Sequence, residues 1–305
     1  MMQLHTCLWN DVDAFSFCEN DFLAIKAHFP DLVIKIHPNV EAFLSQAQLA
    51  DFLLTWDFEE VWYDACSSLK IILTPAAGDG WVFPDPHNKI KLFHGTFHGQ
   101  MLAESLLSAM LFMNHNMPAM IRNHQAKKWD RNHQGSSRLL GNQHVLIVGL
   151  GKIGSSCASL IQQTGAEVIG IRRNPGRDPD GNIDVRSLDE LDGLLPWADH
   201  VVLLLPGAPD TDRLMNTDRL ALMKTGSYIY NFGRGNSLAT IDLLKSLPHL
   251  GGAFLDVTDE EPLHPDSPLW DSDKVMITPH SSCIYDEYKS LFINEVIDHL
   301  KQYLS

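Results

Sequence analysis

The chain has 305 residues, 45% of them hydrophobic and 9% aromatic, and its 23 Lys and Arg against 38 Asp and Glu give a formal net charge of −15. That composition supports a buried core and excludes disordered and fibrous classes, and the longest unbroken aliphatic run, Val201–Leu205, is far short of the roughly 20 residues of a membrane-spanning helix. A charge this negative repels phosphate backbones and anionic lipid surfaces, so neither nucleic acid nor a membrane is an expected partner.

Five scattered cysteines (Cys7, Cys18, Cys66, Cys157 and Cys283) show no C-x-x-C spacing. Neither a disulfide framework nor a metal site is expected from them. The first residues, MMQLHTCLWNDVDAF, have no basic segment and meet two aspartates before an apolar run could form. The expected location is the cytoplasm.

Residues 1–97 hold short mixed segments such as Leu32–Ile36 and Leu69–Leu73, broken by Pro30, Pro38, Pro75, Gly78, Gly80, Pro84 and Pro86. The texture changes at Gln100, where Leu102, Leu106, Met110 and Met113 recur at steps of three and four and predict a buried connecting helix. A strand, QHVLIVG (143–149), then precedes a helix over Ile153–Thr164 that stops at Gly165, a residue able to take the left-handed conformation of a helix end. Further strands are predicted at Glu167–Ile171, Val201–Leu205, Ser227–Asn231, Ala253–Leu255 and Val275–Ile277. Helical patterns fall near Leu188–Leu195, Thr217–Met223 and Ile241–Leu247, with one terminal helix over Tyr285–Leu304. Strands alternating with helices predict a parallel, doubly wound α/β sheet.

Gly149-Leu150-Gly151-Lys152-Ile153-Gly154 is a G-x-G-x-x-G sequence at the end of one predicted strand and the start of a helix. The first glycine allows a tight turn, the second lets backbone approach a pyrophosphate, and the third lets helix and strand pack closely. The helix N-terminus adds free N–H groups and a positive dipole. After the second strand come Arg172 and Arg173, where an NAD site carries an acidic acceptor for the ribose 2′-hydroxyl. Guanidinium groups cannot accept those bonds but suit a 2′-phosphate, so NADP(H) is favoured over NAD(H).

Three segments that each follow a predicted strand, YNFGRGN (230–236), AFLDVTDEEPL (253–263) and MITPHSS (276–282), together with the glycine loop resemble the D-isomer-specific 2-hydroxyacid dehydrogenase family. The resemblance also takes in Leu69-Lys70 leading to Ala76–Gly80, Ala103-Glu104, Trp129, LLPGAPDTDRLMN (204–216) and MKTG (223–226). It implies a Rossmann cofactor domain (99–283) inserted in a smaller flavodoxin-like α/β substrate domain (1–98 and 284–305), and a homodimer. It also implies an Arg234/Glu261/His280 triad. Arg234 would hold the substrate carboxylate and polarise the keto group, His280 would be the general acid/base, and Glu261 would hydrogen-bond His280 and favour its protonated form. Gly149, Gly151, Lys152, Ile153, Gly154, Arg172, Arg173 and Pro206 would line the cofactor, and Asp256 would bind its carboxamide. Ala77, Gly78 and Asp79, with Arg234 and His280, would receive the substrate.

Arg172-Arg173 look more like the glyoxylate/hydroxypyruvate reductase branch, which uses NADPH. The expected activity is therefore reduction of small 2-keto acids. The runner-up is a 3-phosphoglycerate dehydrogenase-like enzyme, disfavoured because residues 1–100 contain no arginine to receive a phosphate. A dinucleotide-sensing protein resembling the family's corepressors is the reading from another class.

Overall fold

In the computed structural model, which describes residues 1–78, 80–132, 137–175 and 183–304, the chain divides into two units. One is Met1–His98 with Ile284–Ser305, the other Gly99–Cys283.

The first unit is built on β1 (Gln3–Cys7), β2 (Val33–Ile36), β3 (Phe52–Thr55), β4 (Ile71–Thr74) and β5 (Lys91–His94), all parallel, in the order β2-β1-β3-β4-β5. That is the flavodoxin-like order. Strands β3 and β4 are buried throughout, which is why they read as apolar runs without alternation. Helix α1 (Leu23–His28) and helix α2 (Val40–Leu44) lie between β1 and β3, and α2 starts where Asn39 Oδ1 accepts the Ala42 amide at 2.9 Å. The terminal helix, Tyr288–Leu304, buries Tyr288, Phe292, Ile293, Val296, Ile297 and Leu300, a stripe at helical spacing. Its rings meet those of the first unit, Tyr288 on Phe15, Phe292 on Phe17 and Tyr303 on Phe52. Glu295 accepts the amide and the hydroxyl of Thr96.

One buried feature of this unit is polar. His37 Nε2 lies 2.9 Å from His5 Nδ1, and His5 Nε2 lies 3.1 Å from Gln3 Oε1. Burial, then the neighbouring His37 and Lys35, pulls His5 down to about 4. His37 is lowered too, by burial and Lys35.

The second unit opens with α3 (Gly99–Asn114) and α4 (Met117–Gln125). Leu102, Leu106, Met110 and Met113 of α3 are buried in a core with Cys157, Ala158 and Ile161, so the methionine stripe is packing. Its sheet comprises β6 (His144–Val148), β7 (Glu167–Arg172), β8 (Asp184–Ser187), β9 (His200–Leu203), β10 (Tyr228–Asn231), β11 (Gly252–Leu255) and β12 (Val275–Ile277). All pairings are parallel and the order is β12-β11-β10-β9-β6-β7-β8. Connections run outward both ways from the β6/β9 neighbours, the switch point at which such sheets open a crevice beyond their carboxyl ends. Helices α5 (Lys152–Gln162), α6 (Leu191–Leu194), α7 (Thr217–Leu222) and α8 (Thr240–Ser246) connect the strands.

The two parallel-sheet domains agree with the predicted fold class. The terminal helix begins at Tyr288, three residues after its predicted start, and the pattern near Leu188–Leu195 splits into a 3-10 turn and α6. Strand β8 was not predicted: Asp-Val-Arg-Ser is polar because this edge strand has one strand neighbour and is only half-buried.

Candidate active site

The glycine turn follows β6. Gly149 has φ +109°, and its amide and that of Leu150 both donate to Ile171 O, at 2.9 and 2.8 Å. A Cβ on Gly149 would stand 2.4 Å from Leu204 O, and one on Gly154 would stand 2.4 Å from Gly149 O. Both outer glycines are thus required by the protein's own backbone. Gly151 is not: a Cβ there would meet nothing within 4 Å. The space beside Gly151 is open at the N-terminus of α5, whose first amides, at Lys152, Ile153 and Gly154, have no earlier helical carbonyl to bond. A pyrophosphate fits that cradle.

Arg172 closes β7 and is half-buried, its Nε donating to Asn174 O at 2.8 Å. Arg173 is exposed and ion-paired to Asp210, a partner that the sequence did not suggest. The loop after β9 that carries Pro206 is fixed by Thr211, whose hydroxyl donates to Pro206 O at 2.8 Å and accepts from the Ala208 amide at 3.1 Å.

Arg234 sits between two glycines for a steric reason. A Cβ on Gly233 would lie 2.5 Å from Leu205 N, and one on Gly235 would lie 1.7 Å from Thr258 O. The arginine loop is therefore wedged between the backbones that follow β9 and β11. Buried Asn231 braces it, Oδ1 accepting the Gly233 amide and Nδ2 donating to Arg234 O, both at 3.2 Å. Ser237 Oγ donates to the same carbonyl at 2.9 Å.

The acidic run after β11 divides its labour. Asp259 binds the Thr240 amide and hydroxyl at the start of α8. Glu261, joined to Pro262 by a cis peptide, accepts the Thr258 amide on Oε1 at 3.1 Å, and its Oε2 stands 2.9 Å from His280 Nδ1. His280 is half-exposed with φ +50°. With Nδ1 turned to the carboxylate, Nε2 is the nitrogen left to face a substrate. Cys283, three residues on, is no competing nucleophile, because burial pushes its thiol up to about 12.

A family model described as "D-isomer specific 2-hydroxyacid dehydrogenase, NAD binding domain" matches residues 107–282, more than half of the chain. The chain belongs to the D-isomer specific 2-hydroxyacid dehydrogenase family. Members of this family are NAD(P)-dependent oxidoreductases, and the matched domain is the one that binds the dinucleotide. A putative 2-hydroxyacid dehydrogenase of Haemophilus influenzae is 25% identical over 280 residues, 88% of this chain and 89% of its own. A D-isomer specific 2-hydroxyacid dehydrogenase of Xanthobacter autotrophicus Py2, solved with NADPH and MES, gives a TM-score of 0.78 at 25% identity, covering 99% of this chain and 95% of its own. The NADPH-dependent glyoxylate/hydroxypyruvate reductase of Sinorhizobium meliloti, solved with NADP and sulfate, shares the fold with a TM-score of 0.77 at 24% identity, over 99% of this chain and 96% of its own. The chain spans between 34% and 64% of the length of other curated relatives it matches, among them a hydroxypyruvate reductase and D-3-phosphoglycerate dehydrogenases.

Within this family member, the triad and the glycine turn all belong to the second unit. Ala77 and Gly78 belong to the first, in the turn after β4, where Gly95 N donates to Ala76 O at 3.1 Å. Asp79 lies outside the described residues. Trp56 packs its ring on Phe15 and Tyr288. Among the described residues no group of His, Cys, Asp or Glu is arranged to hold a metal, and no helix is long and apolar enough to cross a membrane. The braces at Asn231 and Ser237 escaped sequence reading, since neither residue has chemistry of its own to advertise.

Proposed function

We propose that the protein reduces small 2-keto acids, glyoxylate, hydroxypyruvate or similar, to D-2-hydroxy acids with NADPH. The observation that carries the reading is the His280 Nδ1 to Glu261 Oε2 contact of 2.9 Å, which leaves Nε2 to face the substrate. When bound, the nicotinamide supplies the hydride that reaches the keto carbon. His280 gives a proton from Nε2 to the carbonyl oxygen, and Glu261 stabilises the imidazolium that has to form first. Arg234 holds the substrate carboxylate and offsets negative charge growing on the oxygen, and backbone amides at Ala77 and Gly78 are further carboxylate donors.

NADPH is the proposed cofactor because Arg172 closes β7 and Arg173 follows it, where a 2′-phosphate would lie; the NADPH-bound Xanthobacter relative supports it. Gly149, Gly151, Lys152, Ile153, Gly154 and Pro206 are the proposed remainder of the cofactor site. We also propose a cytoplasmic location and a homodimer, the latter supported by two exposed apolar side chains between α4 and β6, Trp129 (92%) and Leu139 (74%).

The test is initial rates of NADPH and NADH oxidation with glyoxylate, hydroxypyruvate, pyruvate, phenylpyruvate and 3-phosphohydroxypyruvate at matched concentrations. Faster NADPH turnover with the small unphosphorylated acids is expected. Preference for the phosphorylated acid would replace the substrate assignment, and tight cofactor binding without turnover would favour a sensing protein.

A further inference from the structure

We propose that Asp210 sets the strength of the NADPH preference: its carboxylate occupies Arg173, so that a 2′-phosphate can bond this arginine only by displacing it. The inference rests on the proposed reading of Arg172 and Arg173 as the 2′-phosphate site.

Arg173 directly follows β7, and Asp210 lies in the 3-10 turn Pro209–Thr211 beyond β9. These two strands flank β6 and run parallel to it, so both loops leave the same edge of the sheet, beside the glycine turn that follows β6. Two strand spacings separate the strand ends, about 10 Å. Arg173 reaches across and gives Nη2 to Asp210 Oδ2. The pair therefore spans the crevice at the switch point, where a sheet of this order takes its dinucleotide.

Asp210 stands on backbone that cannot draw back. The Thr211 side chain, in a residue 7% exposed, ties the turn to Pro206 O and Ala208 O, each at 2.8 Å. Beyond it, the Arg213 amide donates to Asn236 O at 2.7 Å and the Met215 amide to Ser237 O at 2.9 Å.

Carboxylate and phosphate make the same demand on a guanidinium, anionic oxygens that accept its N–H groups. Arg173 already serves one such anion, whereas Arg172 bonds a neutral carbonyl, Nε to Asn174 O at 2.8 Å. A ribose 2′-hydroxyl carries no charge and does not compete for the pair, so the carboxylate weakens NADPH and spares NADH. The two side chains are 69% and 51% exposed, which limits the pair to what ion pairs in solvent are worth, about 3–5-fold in affinity.

The test is a set of NADPH and NADH dissociation constants, read by fluorescence quenching on the whole protein at about 0.15 M salt, where charges not in contact are largely screened. Asp210→Asn keeps the shape and removes the charge. It is expected to tighten NADPH about 3–5-fold and to leave NADH within about twofold. In an Arg173→Ala background the same change is expected to move NADPH by less than about twofold, because the contested group is gone. Arg173→Ala alone is expected to weaken NADPH by less than about threefold, where an arginine free to bond the phosphate would cost about tenfold or more.

A D210N protein that binds NADPH no tighter overturns the proposal, and one that binds it less tightly makes Asp210 a support that aims Arg173 at the phosphate. A gain that survives in R173A overturns the route through Arg173. Should D210N not fold, R173A decides alone, and a loss of about tenfold or more for NADPH ends the proposal. The underlying reading fails separately: if Arg172→Asp and Arg173→Ala weaken NADPH and NADH alike, the arginines do not bind a 2′-phosphate, and this role for Asp210 falls with them.

Discussion

Glu261 divides its carboxylate between two loops: Oε1 takes the Thr258 amide at 3.1 Å, and Oε2 stands 2.9 Å from His280 Nδ1. The carboxylate is therefore oriented before it meets the imidazole. His280→Ala is expected to lower kcat by about 10²–10⁴ with cofactor binding kept. Glu261→Gln, which keeps the shape but not the charge, should lower kcat by roughly tenfold or more. Steady-state kinetics beside an NADPH titration checks both, and a fully active H280A protein would remove the assignment.

The two arginines at the end of β7 differ in what already holds them. Arg173 is paired with Asp210, whereas Arg172 is anchored through Nε to Asn174 O. Arg172 is thus the better placed of the two to give its terminal nitrogens to a 2′-phosphate. Arg172→Asp should raise the KM for NADPH by roughly 10–100-fold, the worth of one or two charge-assisted bonds, and leave that for NADH nearly unchanged. Equal effects on both cofactors would end the 2′-phosphate reading.

Gly235 is where the arginine loop touches the glutamate loop. The atoms that an alanine Cβ would strike, Thr258 O at 1.7 Å and Thr258 C at 2.1 Å, belong to backbone and cannot swing aside. Gly235→Ala should therefore destabilise the protein by about 2–4 kcal/mol and separate Arg234 from Glu261 and His280. Thermal unfolding and kcat/KM are expected to fall together, and an alanine variant of native stability would contradict the close approach.

Histidines 5 and 37 give the first unit an acid limit. The pair is satisfied when neutral, His37 Nε2–H donating to His5 Nδ1 and His5 Nε2–H to Gln3; a further proton on His5 Nδ1 would face another donor. Folding lowers His5 from 6.5 to about 4, so between those values the unfolded chain binds more protons. Stability is then fully present above pH 6.5 and is lost as pH falls towards 4, with about 2 kcal/mol gone at pH 5. His200, buried in the other unit and also pulled down to about 4, adds in the same direction. Urea unfolding at pH 7 and pH 5 should show a loss that shrinks in His5→Gln; an unchanged difference would show that the pair does not contribute.

Sequence reading served the second unit better than the first, and the cause is physical. Strands β6, β9, β10 and β11 are short apolar runs followed by glycine or a polar loop, and helices separate them at regular intervals, so periodicity and punctuation agree. In the first unit β1 reads Gln-Leu-His-Thr-Cys and β5 reads Lys-Leu-Phe-His. Those residues are not apolar enough to announce a strand, and β1 is buried only because its histidine finds partners. Within the proposed site, Arg234, Glu261 and His280 stood out in the sequence because motifs that resemble the family's follow strands, and the fold brings Glu261 to 2.9 Å from His280. Asn231, Ser237 and the Ser281 and Ser282 amides that Asp256 accepts act through backbone contacts, which residue type does not reveal.

The first unit is assembled from residues 1–98 and 284–305, with the whole second unit made in between. At roughly 5–20 residues per second, synthesis of residues 99–283 takes roughly 10–40 s. For that interval Phe15, Phe17 and Phe52 have been made, while the Tyr288, Phe292 and Tyr303 rings that cover them have not. The second unit is continuous and can close its sheet as it emerges. Residues 1–98 are therefore shielded from water only after the second unit has been made, and chaperone binding to a nascent chain should concentrate on their aromatic faces.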